Sequence, residues 1–217
     1  MVLAFVGVTV LLGTTAASGA VQPVSPGFGA KTGSRPTFTW DLGNQLAIGL
    51  YIASQATLQP SGEFDPKVVE QQASLKSRQS RWTDSRALFA GRHWWNVSSH
   101  SPDTLEFSEP WPFEVRAEIQ VSGIRTVWSG RDRLGVTVGW TTNEREVVIQ
   151  ALVRRGRHRV GSAPYVERTT RVALKPDGAS LTWRRPRAVR SGTRLTLVLS
   201  VRGPGAVRTV RRALRAP

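Results

Sequence analysis

The chain has 217 residues, 40% of them hydrophobic and 21% charged, which suits one large domain or two of about 100 residues and is too apolar for a disordered chain. It contains no cysteine, which excludes disulfide frameworks, thiolate metal sites, iron–sulfur clusters, cysteine nucleophiles and a lipidated-cysteine anchor. The net charge of +15 belongs to one half: residues 118–217 carry twenty-one Lys/Arg against six Asp/Glu, whereas residues 1–117 carry nine of each.

The first element is an apolar run from Val2 to Leu12, followed by the small residues Gly13-Thr14-Thr15-Ala16-Ala17-Ser18-Gly19-Ala20. This order reads as a secretory signal over residues 1–20, although no Lys or Arg precedes it, and it is short for a membrane span. The expected location is therefore secreted or at the cell surface. Residues 21–34 are rich in Pro, Gly and Ser and read as a linker.

Short β-type runs separated by turn residues then recur to the C-terminus. Thr37-Phe38-Thr39-Trp40 alternates, and Leu46, Ile48, Leu50 and Ile52 share the parity of a half-buried strand. Ser61-Gly62-Glu63-Phe64 reads as a turn. Asp65-Pro66, as N-cap and first helical position, predicts a short helix running to about Lys76. Strands are expected again at Trp94-Trp95-Asn96-Val97 and at Trp111-Pro112-Phe113-Glu114-Val115.

In the second half, Leu134, Val136, Val138 and Trp140 alternate with smaller or polar residues. Val147, Ile149, Ala151 and Val153 follow, then Val166, Thr170, Val172 and Leu174, then Leu195, Leu197, Leu199 and Val201. The last run, Ala206 to Leu214, shares its apolar parity with Arg208 and Arg212, which predicts a bulge or an edge strand guarded by arginines.

Pro36-Thr37-Phe38-Thr39-Trp40, the Leu88-to-Val97 stretch with its Gly91 turn and aromatic pair, and Phe107-to-Val115 together resemble bacterial fibronectin type III-like modules. They match the second strand, the corner with the sixth strand, and the closing strand. The resemblance implies that Trp40 fills the space between two sheets and that Trp94 stands where such modules carry a corner Tyr. Val153-Arg154-Arg155-Gly156-Arg157, Gly192-Thr193-Arg194-Leu195-Thr196-Leu197 and Gly205-to-Arg212 resemble an Ig-like sandwich module of exported actinobacterial proteins. The expectation is an all-β chain of two tandem β-sandwiches after the signal segment. The first, fibronectin type III-like, covers 35–116; the second, basic and Ig-like, covers 117–217.

The residues offer little chemistry. His93, His100 and His158 have no carboxylate pair at metal-ligand spacing and read as surface histidines. His100-Ser101-Pro102-Asp103 reads as a turn rather than a triad, and Asp103, Glu106 and Glu109 as solvated charges rather than glycosidase carboxylates. No phosphate-cradling loop or nucleophile elbow is present. The expected function is thus a non-catalytic cell-envelope binding or spacer protein with no cofactor. The alternative is a carbohydrate-binding module, or part of a carbohydrate-active hydrolase, using some of the eight tryptophans; Trp82, Trp128 and Trp183, near turns or strand ends, are the expected exposed aromatics.

The expected partner is an anionic cell-wall polymer or a carbohydrate, with a protein partner open; nucleic acid is disfavoured because no DNA- or RNA-reading motif accompanies the charge. The candidate polyanion contacts are Arg154, Arg155, Arg157 and Arg159 on one turn and Arg184, Arg185, Arg187 and Arg190 on another. Loops between alternate strands of a sandwich gather at one end, so the two turns either form one patch or point apart. Arg outnumbers Lys twenty-six to four, and a GC-rich coding sequence produces that excess without any ligand.

Overall fold

The computed structural model describes residues 21–217 other than Ser77, Pro102 and Asp103. The signal-segment reading of 1–20 and the carboxylate of Asp103 thus lie outside the described residues. The described residues form seventeen strands and no helix.

The first nine strands are β1 (Gln22–Ser25), β2 (Ala30–Thr32), β3 (Thr37–Asp41), β4 (Leu46–Ala53), β5 (Val69–Ser74), β6 (Arg81–Thr83), β7 (Gly91–Ser101), β8 (Thr104–Phe107) and β9 (Trp111–Val115). They make a sheet in the order β1-β3-β6 and a second in the order β2-β9-β7-β4-β5, with β8 added to β7. Phe38, Trp40, Leu50, Ile52, Trp95, Val97, Phe113 and Val115 pack between them.

The remaining strands are β10 (Ile119–Ser129), β11 (Arg133–Thr142), β12 (Glu146–Arg155), β13 (His158–Ser162), β14 (Val166–Thr169), β15 (Asp177–Arg184), β16 (Arg194–Arg202) and β17 (Val207–Arg215). Their sheets run β10-β11-β15 and β13-β12-β16-β17, with β14 on β12. Leu134, Val136, Val138 and Trp140 from one sheet meet Val147, Ile149, Ala151, Val153, Leu195, Leu197, Leu199 and Val201 from the other. Both halves thus set the first, second and fifth principal strands against the third, sixth and seventh, which is the Ig-like and fibronectin-like sandwich architecture.

Several elements differ from the sequence expectation, each for a physical reason. The stretch read as a linker, 21–34, supplies β1 and β2: Val21 is fully buried, and Pro23 pairs with Trp40 across the first sheet. The helix expected from Asp65 is strand β5. Asp65 does cap, accepting from the Lys67 amide at 2.9 Å, but this closes a single turn, after which Val69–Ser74 pairs with β4. Glu70, Gln71, Gln72 and Ala73 are good helix formers, but six residues are too few to offset the cost of helix nucleation, and the β4 edge offers backbone partners instead.

On β4 the register shifts between Ala47 and Gly49, where a bulge inverts the alternation. Leu46 and Ile48 consequently face outward while Ala47, Leu50 and Ile52 are buried. In the run from Val166, only Val166–Thr169 is strand; the chain then leaves the sheet, with Leu174 at φ 58°. The last run pairs with β16 over nine residues without a bulge, so the edge-strand alternative is the one realised.

Candidate functional site

The two arginine turns are brought to one end of the second sandwich by strand direction and register. The hairpin between β12 and β13 pairs Arg155 with His158, leaving Gly156 and Arg157 as a two-residue loop. Gly156 has φ 57°, as the first position of the type II′ turn that matches strand twist requires. Thr196 on β16 lies opposite Arg154, so the loop that leads into β16, with Arg185, Arg187 and Arg190, arrives beside that hairpin. In the facing sheet, β15 ends at Arg184, opposite Arg133 at the start of β11.

The same register adds arginines that the sequence reading did not single out. Arg133 lies beside Arg184, Arg131 sits in the turn before it, and Arg194 pairs with Arg215. All of the eight expected arginines are exposed except Arg185, which is half-buried and donates to the Pro217 carbonyl at 2.8 Å. Arg159 donates to the Ser162 hydroxyl at 2.7 Å.

Acidic residues are segregated in the opposite sense. Of the six in the second half, only Asp132 is at this end, 3.1 Å from Arg184 Nε. Glu118, Glu144, Glu146, Glu167 and Asp177 stand at strand ends or registers facing the first sandwich: Glu146 opens β12, Glu167 pairs with Val148, and Asp177 pairs with Trp140 near the end of β11. The basic end therefore keeps most of its charge uncompensated, and its field favours polyanions.

The tryptophans expected to be exposed are not. Trp183 is 2% exposed: it faces inward from β15, Trp128 meets it at 6.0 Å between ring centroids, and Gly161 on β13 leaves the space its indole fills. Trp82 and Trp128 are half-buried against their cores, and Trp82 packs on Phe38 at 6.0 Å. These three belong to two different sandwiches and form no platform on which a sugar could stack. Trp95 is core and its neighbour Trp94 half-buried, as adjacent residues of a strand must divide.

His93, expected at the surface, is 3% exposed. One ring nitrogen lies 2.6 Å from Glu70 Oε2 and the other 2.8 Å from the Phe89 carbonyl, four residues upstream. A buried ring bonded back to the corner backbone does what the hydroxyl of a corner Tyr does elsewhere, so the corner is held by His93 and not by Trp94. With both nitrogens engaged, His93 has none left to act as a base or a metal ligand. His100 and His158 are exposed.

The junction between the sandwiches is polar. Asn143, fully buried, donates its side-chain amide to the Arg116 carbonyl at 2.8 Å, accepts from the Glu118 amide at 2.7 Å, and accepts at its own carbonyl from Ala90 at 2.9 Å. Arg145 reaches Glu70 Oε1 at 3.1 Å and lies 4.2 Å over the Phe89 ring. Glu118 Oε1 accepts from the Ser34 amide at 3.3 Å.

No protein-family model matches the chain, and no curated protein matches it. Among solved structures, a two-domain fibronectin type III segment of chicken tenascin aligns over 91% of this chain and 98% of its own length, at 8% identity and a TM-score of 0.47. Bovine butyrophilin aligns over 90% and 98%, at 13% identity and 0.35. A family 2 glycosyl hydrolase from Bacteroides cellulosilyticus aligns over 90% of this chain and 30% of its own, at 9% identity and 0.36. At these values the sandwich architecture rests on the strand order of the chain itself: all-β, two sandwiches in tandem, each with three strands facing the rest.

Proposed function

We propose that the protein is an exported, non-catalytic envelope protein that binds an anionic polymer through the basic end of its second sandwich. The observation that carries this reading is the gathering of two arginine turns, distant in sequence, at one end that holds a single acidic residue, Asp132. A polymer of repeating negative charge displaces counterions from such a surface, and that release drives association. The non-catalytic part is supported by the engagement of both His93 nitrogens, and the reading against a sugar platform by the burial of Trp183 and the half-burial of Trp82 and Trp128. Export is supported by the apolar run and small residues of 1–20; sequencing of the exported chain is expected to find its first residue between Ser18 and Val21, and retention of Met1 would contradict export by cleavage.

Retention of the full chain on heparin or an anionic wall polymer, followed across a salt gradient, tests the binding reading. The native chain is expected to elute well after an unrelated protein of equal net charge. Changing Arg154, Arg155, Arg157 and Arg187 together to Ser should weaken retention on every polymer alike and reduce the salt slope by up to about four charges. Co-elution of the native chain with the charge-matched protein would leave a spacer.

A further inference from the structure

A cleft of about 560 Å³ opens between the two sandwiches, within the size range of small-molecule sites. The first sandwich contributes Arg35, Gln71 and the 85–89 segment, and the second contributes Arg145 and the 171–175 loop. Five cationic side chains line it, against one acid, Glu70. Glu70 is already engaged by His93 and Arg145, and Arg86 by Asp84 at 3.0 Å. Arg35, Arg171 and Lys175 have no ion-pair partner among the described residues.

Two features of the wall do not serve the fold by themselves. Gln71 is 7% exposed, yet its side-chain oxygen has no hydrogen-bond partner. A buried amide left unpaired is costly, and its two ends exchange by rotation, so it can accept from a ligand hydroxyl or donate to a ligand oxygen. Leu174 holds φ 58°, the one non-glycine positive φ among the described residues, and its N–H donates a hydrogen bond to the Thr142 carbonyl at 2.7 Å. Strained backbone of this kind is kept where the surroundings hold a side chain in a set place. The rest of the wall is apolar apart from Ser85, with Leu88, Phe89 and Ala173.

We infer that this cleft binds a small amphipathic anion, its carboxylate or phosphate held by Arg35, Arg171 and Lys175 and its apolar body lying against Leu88, Phe89 and Leu174. Cations from both sandwiches would then share one headgroup, so that the ligand bridges the junction. This site is separate from the basic end of the second sandwich, which lies at the opposite ends of the strands.

Isothermal titration of the full chain with phenyl phosphate and with phenylacetate tests the inference, with benzyl alcohol as the neutral reference. At least one acid is expected to bind a single saturable site that benzyl alcohol does not fill, and the tighter acid identifies the headgroup. Arg171→Ser with Lys175→Ser should weaken that site about tenfold or more, because hydrogen bonds to charged groups are lost. Arg35→Ser, from the other sandwich, should weaken it too, which keeps the test sharp if the loop variant is misfolded. The chain with the four arginines of the basic end changed to Ser should bind as the native chain does. The inference is overturned if neither acid binds better than benzyl alcohol, if Arg35→Ser and the loop variant both bind normally, or if the basic-end variant abolishes binding.

Discussion

Trp40 is 3% exposed on β3, packed between the two sheets of the first sandwich with its indole N–H unpartnered. Its contribution is therefore volume and apolar area rather than a hydrogen bond. Trp40→Ala is expected to cost roughly 3–5 kcal/mol by chemical denaturation, the range for emptying a large aromatic site. A cost below about 1 kcal/mol would mean that the site collapses around the gap or was never core. His93 shows the opposite logic: it is buried for its two hydrogen bonds, and it ties the corner before β7 to Glu70 and hence to Arg145 of the second sandwich. Nothing in the local sequence distinguishes it from a surface histidine, because its partners lie 23 and four residues away on different elements.

At the scale of elements, β17 is an edge strand that carries charges on its inner side. Arg208 lies opposite Val201 and Arg212 opposite Leu197, both buried residues of β16, and Arg212 donates to the Ile124 carbonyl on β10. Inward-pointing charges are one means by which edge strands resist pairing with other chains. Arg208→Val with Arg212→Val restores an unbroken apolar parity to this edge and is expected to produce concentration-dependent association, measured by light scattering. A variant that stays monodisperse at every concentration would show that another feature guards the edge. The alternation of β11, β12 and β16 was legible because the apolar residues of each lie on one buried face, and no bulge interrupts the pairing of β11 with β15 or of β12 with β16. That of β4 was not, because its bulge is a property of the pairing with β7.

At the scale of the whole molecule, two hydrophobic clusters lie on either side of residues 116–118, and a network of polar bonds through Asn143 and Glu118 joins them. Asn143→Ala leaves the Arg116 carbonyl and the Glu118 amide without the side chain that satisfies them, in a buried place. It is expected to cost about 1–3 kcal/mol. The loss should fall on the coupling between the sandwiches, so calorimetry should show the transitions separating, and solution scattering a broader distribution of lengths. An unchanged single transition would place the coupling elsewhere, in the Arg145–Glu70 pair.

What the sequence determined by itself is what short-range chemistry determines: period-two alternation names β3, β11, β12 and β16, Gly156 marks a turn, and the absence of cysteine removes whole classes of function. The arginine turns were legible as turns, yet residues 154–159 and 184–190 could as well have stood at opposite ends. Only the antiparallel register of β12 with β16 and of β11 with β15 brings them together, and it brings Arg131, Arg133, Arg194 and Arg215 with them. The burial of Trp183 and His93, and the cleft between the sandwiches, were likewise decided by tertiary structure. Each depends on surfaces from segments far apart in the chain, and local alternation carries no information about which distant surface a side chain will meet.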